Sequence, residues 1–276
     1  METVIQEKYE RLKKIISDAS SAAVAFSGGV DSTFLFKVCV DLPGVRVLAV
    51  TATSDTYPAR ELAEARKLAR QIGGDHMIIE SEELDVPGFS DNPPHRCFLC
   101  KTELFSRVTQ IAGQQGLRWV FDGSNADDCK DFRPGRDAAR KLGVRSPLEE
   151  AGLGKDEIRQ LSKMLRLSTW DKPALACLSS RFPYYTKITR PALKQVEAAE
   201  NFLFRLGIKV FRVRHHDLIA RIETGKAELQ ILLESNVKDQ VVAYFKSLGY
   251  KYVTLDLEGY RTGSMNETLT DDQLSK

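Results

Sequence analysis

The sequence predicts an α/β protein with a doubly wound parallel sheet, followed by a smaller α+β domain. Three observations predict it. Apolar strand-like runs alternate with amphipathic helices over residues 24–123. The first of these strands runs directly into the pair Gly28-Gly29 and then into a helix. After about residue 190 the alternation gives way to helices with short strands, which indicates a second domain.

The elements of the first domain follow in order. An amphipathic helix, unlike a secretory signal, is predicted for residues 1–20. Strands are predicted at residues 24–26, 46–52, 76–81 and 119–123, and helices at residues 31–41, 58–73, 98–115 and 155–166. The second of these helices has Pro58 at its start and Gly73 at its end, which is the usual asymmetry. Ligands of such sheets bind at the carboxyl ends of the strands, here residues 27–32, 51–55, 81–97 and 123–133.

The second domain is predicted to be a compact α+β unit. A helix is expected at residues 191–207, two strands within 209–224 with a tight turn near Asp217, helices at 226–235 and 238–248, and a strand at 250–257. The predicted domains are therefore residues 1–170 and 191–276, joined by a linker, 171–190, that carries Cys177. We expect the second domain to bind substrate or to form oligomers.

The composition limits the function classes. The chain has 276 residues, a net charge of +2, 42% hydrophobic and 28% charged residues, which is typical of a soluble globular protein. A nearly neutral chain gives no support for a large nucleic-acid-binding face. The sequence has no run of apolar residues long enough to cross a membrane. We expect a cytoplasmic protein, where five cysteines, an odd number, argue against a disulfide framework.

Residues 27–32, Ser-Gly-Gly-Val-Asp-Ser, predict a phosphate-binding loop. Two glycines allow a tight turn and close approach of a ligand, and the helix that follows offers unpaired N–H groups at its positive end. The pattern is not the GxxxxGK[ST] motif, which is absent from the chain. An ordinary strand–turn–helix with an aspartate cap would also fit the glycine pair alone.

Cys97, Cys100 and Cys177 form the second candidate site. A CxxC at a helix start brings two thiols within reach of one metal or cluster and lowers their pKa. A third cysteine would leave one position of a cubane cluster open for a non-protein ligand. The residues leave other interpretations open: a redox pair, a zinc site with His95, or a single reactive thiolate at Cys177. Cys39 is expected in the core, and Cys129 has no assigned role.

Five segments carry a resemblance to a known family. The loop at residues 27–32 resembles the pyrophosphate loop of the PP-loop ATPases, which split ATP between its α and β phosphates. This loop, CFLCKTELF, DGSNADDCKDFRPGRDAAR, ACLSSRFPYYTKIT and FRVRHHDLIARIE together resemble the LarE family. LarE proteins are ATP-dependent sulfur transferases that help to build the nickel-pincer nucleotide cofactor of lactate racemase.

The resemblance implies a reaction and its cofactors. A carboxylate of a pyridinium dicarboxylate mononucleotide would be adenylated by ATP and then attacked by sulfur, with loss of AMP. In one version of the family a cysteine near SRFPY gives up its own sulfur. In the other, three cysteines hold a [4Fe-4S] cluster that carries an extra sulfide. Cys97, Cys100 and Cys177 make this chain resemble the cluster version, although sacrifice of Cys177 stays open.

Roles for individual residues follow from the same resemblance. ATP would be held by Ser27, Gly28, Gly29, Val30 and Ser32, with Gly123 beside them. Asp31 would position Mg²⁺, or cap the helix, or both. Lys101 is a candidate phosphate contact, although a solvated lysine is a comparable interpretation.

The substrate would be held by Ser180, Arg181, Arg212 and Arg214. Arg212 and Arg214 alternate on one predicted strand, so both face one side, where two guanidinium groups would suit the substrate phosphate. An exposed basic strand face is the alternative. Glu200, Asp127 and Asp131 are weak candidates for binding a metal or shaping the pocket, and His215 and His216 have no assigned chemistry. The partners expected are a small nucleotide substrate, sulfide or a sulfur donor, and further copies of the chain.

Other functions stay open on the sequence. A PP-loop tRNA thiolase also combines a CxxC with a distant cysteine and a cluster, but it would need an RNA-binding surface. A non-catalytic nucleotide-binding module would leave Asp31 and the cysteines without a purpose. An amide-forming ligase related to NAD synthetase would leave the cysteines unexplained.

Overall fold

The structure is a computed structural model that describes residues 2–130, 135–173, 176–261 and 263–270. The chain divides into two compact units. The first unit contains Met1–Val86 and His95–Leu175, and the second contains Pro87–Pro94 and Ala176–Lys276. The division near residue 175 falls inside the predicted linker, whereas the assignment of Pro87–Pro94 to the second unit has no counterpart in the sequence analysis. Among the described residues, no helix combines the length and the apolar character that a bilayer crossing requires.

The first unit is built on a parallel sheet. Its strands are β1 (Ser21–Ala25), β2 (Arg46–Thr53), β3 (Asp75–Glu80) and β4 (Trp119–Phe121), in the order β3-β2-β1-β4. All neighbouring pairs are parallel. The chain order reverses between β1 and β4, so a crevice is expected at the carboxyl ends of these two strands. The predicted fold class is confirmed.

Helices follow the strands, as the alternating pattern predicted. The helices of the first unit are α1 (Glu2–Ala19), α2 (Val30–Asp41), α3 (Ala59–Ile72), α4 (Arg96–Gln114), α5 (Gly135–Lys141), α6 (Pro147–Glu150) and α7 (Lys155–Met164). Helix α3 begins after Pro58 and ends at Gly73, whose φ of +84° is the left-handed conformation that glycine accepts readily. Helices α5 and α6 were not predicted, because each is too short to show a helical period.

The sheet is covered on both faces. Side chains of β1 alternate between two apolar clusters: Ala22 and Val24 belong to one, and Ala23 to the other. The first cluster includes Phe34 of α2, and the second includes Phe105 of α4. A strand buried on both faces must be apolar at every position, which explains the uninterrupted run that begins at residue 22.

The second unit has its own sheet and core. Strands β5 (Phe211–His216) and β6 (Ile219–Thr224) form an antiparallel hairpin, and β7 (Tyr252–Leu255) lies parallel to β6. The hairpin turns at Asp217, which has a φ of +50°. The helices are α8 (Arg190–Arg205), α9 (Lys226–Leu233) and α10 (Ser235–Ser247). The buried core includes Leu203, Phe211, Val213, Ile222 and Phe245.

Candidate active site

The glycine loop after β1 has a conformation that requires glycine. Gly28 has a φ of +66°, and a Cβ atom there would lie 3.2 Å from the Cβ of Ala65 on α3. Gly29 precedes the first residue of α2, and no side chain caps that helix start. The amide groups at the start of α2 are therefore available to an anion, with the positive end of the helix dipole behind them.

The strand next to the loop also approaches the helix start closely. A Cβ atom on Gly123, just beyond β4, would lie 3.0 Å from the backbone nitrogen of Ser32. Ser32 and Ser27 connect the two ends of the loop, since their hydroxyl oxygens are 3.1 Å apart. The structure therefore brings together Ser27, Gly28, Gly29, Val30, Ser32 and Gly123, all of which the sequence analysis assigned to ATP.

Two side chains hold the carbonyl groups of the loop. Tyr57 donates from its hydroxyl to the carbonyl oxygen of Ser27 at 2.8 Å. Lys172 donates to the carbonyl oxygen of Gly28 at 3.1 Å and pairs with Glu61 at 2.8 Å. Burial, with the charge of Glu61, raises the pKa of Tyr57, so the phenol keeps its proton and remains a donor. These contacts fix the orientation of the peptide planes of the loop.

Asp31 lies at the start of α2 and is paired with a lysine. Its Oδ2 atom accepts from the Nζ of Lys155 at 2.5 Å, and its Oδ1 atom makes a longer contact of 3.5 Å with the Nδ2 of Asn125. Mg²⁺ is commonly held by one or two carboxylates together with substrate phosphates. The single carboxylate of Asp31, with one weakly engaged oxygen beside a phosphate-binding loop, fits that donor set.

Cys97 and Cys100 lie in the first turn of α4, three positions apart on one side of the helix. Cys97 is exposed and Cys100 is partly buried, and both are free thiols. The Cys100 thiol donates to Oε1 of Glu83 at 3.1 Å. The other oxygen of Glu83 accepts from the hydroxyls of Ser54 and Thr56.

Lys101 follows the cysteine pair but points along its own helix. Its ammonium lies 5.4 Å from the centre of the Phe105 ring. The side chain also packs on Gly135, where a Cβ atom would come within 2.8 Å of its Cγ. These contacts place the side chain of Lys101 against Phe105 and Gly135, and its role as a phosphate contact stays a prediction.

Cys177 belongs to the second unit and precedes a short 3₁₀ turn, Leu178–Arg181. Its carbonyl oxygen accepts from the hydroxyl of Ser180 at 2.8 Å and from Nη1 of Arg181 at 3.0 Å. The backbone that carries the thiol is thus held by the two residues that the sequence analysis assigned to substrate.

Arg181 is buried and paired with Glu200. Two parallel hydrogen bonds, 2.8 and 2.9 Å long, join the guanidinium to the carboxylate. Burial by itself would raise the pKa of Glu200, but the charge and hydrogen bonds of Arg181 lower it below its usual range. Both oxygens of Glu200 face this guanidinium, which favours a structural pairing over the weak metal-binding role predicted for Glu200.

Arg212 and Arg214 lie on β5 in different surroundings. Arg214 is buried and makes two hydrogen bonds to Glu223, at 2.9 and 2.7 Å, and another to the carbonyl oxygen of Ser180 at 2.7 Å. Arg212 lies 4.8 Å from the centre of the Tyr260 ring. Burial lowers the pKa of Arg212, and the charge of Arg181 lowers it further. Arg212 also donates from Nη1 to the carbonyl oxygen of Phe211 at 2.7 Å. Arg181 and Arg214 are thus each paired with a buried carboxylate.

The remaining candidates divide as follows. Within residues 2–130, 135–173, 176–261 and 263–270, no three His, Cys, Asp or Glu side chains form a group that could hold a metal ion. This range includes Cys97, Cys100 and Cys177, so the cluster site expected from the sequence stays a prediction. Asp131 lies outside the described residues, as does the side chain of Cys129. Cys39 is fully buried, as expected, and His215 packs between the rings of Phe182 and Tyr250. Asp127 accepts from the backbone nitrogen of Lys155 at 2.8 Å.

Four residues of the site escaped the sequence analysis: Tyr57, Glu83, Lys155 and Lys172. None belongs to a local motif, and each reaches the site through a contact between residues distant in sequence. The position of Lys155 directly after Gly154, at a helix start, is the one local signal, and it is common to many helices.

Comparison with known proteins defines the class first. No family model matches the chain. GMP synthases of Chlamydia caviae and Saccharomyces cerevisiae are 20% and 25% identical to it over 60% of this chain and 36% of their own length. With the parallel sheet and the glycine loop after β1, these matches identify a PP-loop type of α/β protein.

Relatives that match nearly the whole chain identify the family within this class. The pyridinium-3,5-bisthiocarboxylic acid mononucleotide synthase of Lactiplantibacillus plantarum is 39% identical over 97% of both chains. An uncharacterized protein of Synechocystis is 42% identical over 97% of this chain and all of its own length, and one of Methanocaldococcus jannaschii is 29% identical over 94% of both chains. The chain belongs to the LarE family of sulfurtransferases and is an enzyme.

Proposed function

We propose that this enzyme is an ATP-dependent sulfur transferase of nickel-pincer cofactor biosynthesis. It adenylates a carboxylate of a pyridinium dicarboxylate mononucleotide and replaces a carboxylate oxygen by sulfur. Two observations together carry the proposal: the chain has a glycine loop that leaves amide groups available to an anion, and it is similar over 97% of its length to a synthase of the bisthiocarboxylic acid mononucleotide. A carboxylate accepts sulfur poorly because oxide is a poor leaving group, so activation by ATP is needed.

In the first step a carboxylate oxygen of the substrate attacks the α-phosphorus of ATP. The bond from this phosphorus to the bridging oxygen of the β-phosphate breaks, and pyrophosphate leaves with both electrons of that bond. The amide groups of Gly28, Gly29 and Val30 bind the departing pyrophosphate. Asp31 would hold Mg²⁺, which would neutralise part of the charge of the pyrophosphate.

In the second step sulfur attacks the acyl carbon, and AMP leaves. Cys97, Cys100 and Cys177 are the residues that would hold a cluster, which would supply the sulfide. In the alternative, the Cys177 thiolate attacks directly and forms a thioester. A base then removes the Cα proton of Cys177, the Cβ–S bond breaks with its electron pair going to sulfur, and the products are a thiocarboxylate and dehydroalanine in the chain. In both cases the protein must fix the segment around Cys177, and the contacts of Ser180 and Arg181 with its carbonyl oxygen support that role.

The substrate phosphate binds at Arg212 in this proposal. Burial lowers the pKa of Arg212, and the positive charges of Arg181 and Arg214 lower it further. A phosphate beside it offsets both effects. Arg214 contributes through Ser180, because it holds the carbonyl oxygen of that residue.

The test begins with pyrophosphate release from ATP and the pyridinium dicarboxylate mononucleotide. We expect release that depends on this substrate and that is lost in Asp31→Ala. Release with tRNA instead of the mononucleotide would identify a tRNA thiolase, and release with neither would leave only a nucleotide-binding module.

The source of sulfur is tested on the anaerobically purified protein. The cluster route predicts a brown protein with about four irons per chain, and loss of iron in Cys97→Ser but not in the matched control Cys39→Ser. A colourless protein whose chain mass falls by one H₂S after turnover would instead establish sacrifice of Cys177.

A further inference from the structure

The peptide group between Ser27 and Gly28 has two orientations open to it. Gly28 has a φ of +66°, a left-handed conformation that glycine adopts readily. A half-turn of this peptide group would give Gly28 a negative φ, which any residue accepts. The backbone of the loop by itself therefore does not select the orientation seen here, and a contact from outside the loop must select it.

The two orientations present opposite partial charges to a ligand. This peptide bond is trans, so its C=O and N–H groups point in opposite directions. The N–H of Gly28 has no acceptor among the described residues. The same holds, within that part of the chain, for the first three N–H groups of α2, those of Val30, Asp31 and Ser32. The half-turn would replace one donor for an anion by the carbonyl oxygen of Ser27, which repels phosphate oxygens.

Tyr57 holds that carbonyl group from outside the loop. It follows β2, and its hydroxyl donates to the carbonyl oxygen of Ser27 at 2.8 Å. Burial raises the pKa of Tyr57, so the hydroxyl keeps the proton that it donates. The next peptide group, between Gly28 and Gly29, is held in the same way, because Lys172 donates to the carbonyl oxygen of Gly28 at 3.1 Å.

We propose that Tyr57 is a positioning residue of the pyrophosphate site, which turns the carbonyl group of Ser27 away from the nucleotide and so aims the N–H of Gly28 at the β and γ phosphates. The inference rests on the proposed use of ATP and adds to it the residue that selects between two orientations of the loop. Tyr57 acts through the backbone and needs no contact with the nucleotide. Its effect should therefore concern the pyrophosphate end of ATP and be absent for AMP.

The experiment is equilibrium binding to the full chain, measured for α,β-methylene-ATP with Mg²⁺ and, separately, for AMP. Tyr57→Phe keeps the ring and removes only the hydroxyl. We expect it to weaken binding of the ATP analogue about fivefold, as loss of one neutral hydrogen bond predicts, and to change AMP binding by less than about twofold. Tyr57→Leu, which also lacks the hydroxyl, repeats the test if the phenylalanine variant folds poorly.

Tyr250 provides a matched control. Its hydroxyl also has one partner at hydrogen-bond distance, Nδ1 of His215 at 3.2 Å, and burial raises its pKa as well. Tyr250 belongs to the core of the second unit. Tyr250→Phe should leave both affinities unchanged.

The outcomes separate the inference from the proposed function. Wild-type affinity for the analogue in a folded Tyr57 variant, or equal weakening of AMP and the analogue, would overturn the inference alone. A wild-type protein that binds no analogue would overturn the proposed function as well.

Discussion

In the loop after β1, backbone conformation and available space determine which residue can occupy position 28. Gly28 is in the left-handed region and touches Ala65, whereas Gly44 has a similar φ, +79°, with nothing within 4 Å of its Cβ position. The two glycines thus share a conformational requirement, but only one of them has a requirement for space.

Gly28→Ala and Gly44→Ala separate these two requirements. In both variants the left-handed φ should cost about 1–2 kcal/mol of unfolding free energy, and Gly28→Ala should lose more because its Cβ atom meets Ala65. Gly28→Ala should also abolish binding of ATP, since the loop must move away from Ala65. Calorimetric titration with an ATP analogue measures this, and equal nucleotide affinity in the two variants would contradict it.

The pair Arg181–Glu200 depends on charge and hydrogen bonding, whereas Gly28 depends on backbone conformation and space. Glu200→Gln leaves a buried guanidinium without its countercharge and should destabilise the fold by about 3–5 kcal/mol. The control is Glu267→Gln. The side chain of Glu267 pairs with Arg261 but is 61% exposed, so this substitution should leave the midpoint of thermal unfolding unchanged. A small effect in the first variant would mean that Arg181 finds another anion.

Some of these residues could be predicted from the sequence and some could not. Gly28, Asp31 and the cysteine pair sit in short motifs whose spacing carries their chemistry. Tyr57, Lys155 and Lys172 reach the loop from positions 30, 124 and 144 residues away from their partners. Lysines and tyrosines are common at protein surfaces, so nothing local distinguishes those that turn towards a site.

At the scale of elements, residues 87–94 form part of the second unit although they lie between two elements of the first. Asn92 is fully buried, has a φ of +55°, and donates to the carbonyl oxygens of Phe182 and Pro183 at 3.2 and 2.7 Å. Tyr185 donates back to the carbonyl oxygen of Asn92 at 2.9 Å. The segment that follows Cys177 is therefore held by residues almost a hundred positions earlier.

Two substitutions separate what the side-chain amide of Asn92 and its left-handed backbone each contribute to stability. Asn92→Gly keeps the left-handed backbone accessible but removes the amide, and should cost about 1–3 kcal/mol for carbonyl groups left unpaired. Asn92→Ala adds about 1–2 kcal/mol for the backbone conformation. Denaturant unfolding measures both. If the alanine variant is no less stable than the glycine variant, backbone strain does not contribute.

The elements themselves were largely predictable, and their pairing was not. The four strands of the first unit and the hairpin at Asp217 follow from apolar runs and turn residues. The order β3-β2-β1-β4 and the parallel pairing of β6 with β7 depend on contacts between distant segments, which no local pattern records. The short helix α5 follows a segment outside the described residues and is too brief for a periodic signal.

At the scale of the whole molecule, three histidines have a pKa that folding lowers. Burial lowers the pKa of His76, His215 and His216 below the ordinary value of 6.5. His76, for instance, lies within hydrogen-bond distance of the hydroxyl of Thr51, 2.8 Å from its Nε2. The folded state therefore keeps these rings neutral at pH values where the unfolded chain already protonates them.

The sign of the pH dependence follows. A lowered pKa means that the unfolded state binds more protons, so stability is greatest above about pH 6.5 and falls as the pH decreases below it. We expect the midpoint of thermal unfolding to be constant from pH 7 to 8 and to fall towards pH 5. His76→Gln should make this decline shallower, and an unchanged decline would show that His76 does not contribute to it.

The placement of Pro87–Pro94 has a consequence for how the chain can be divided. The polypeptide leaves the first unit after Val86, returns at His95 and leaves again after Leu175. A fragment that stopped near residue 170 would keep Ser90 and Asn92 but lose Ile188, Phe182 and Pro183, to which they are bonded. A single cut in the chain therefore cannot separate the two units, because the second unit is built from two separate segments of sequence.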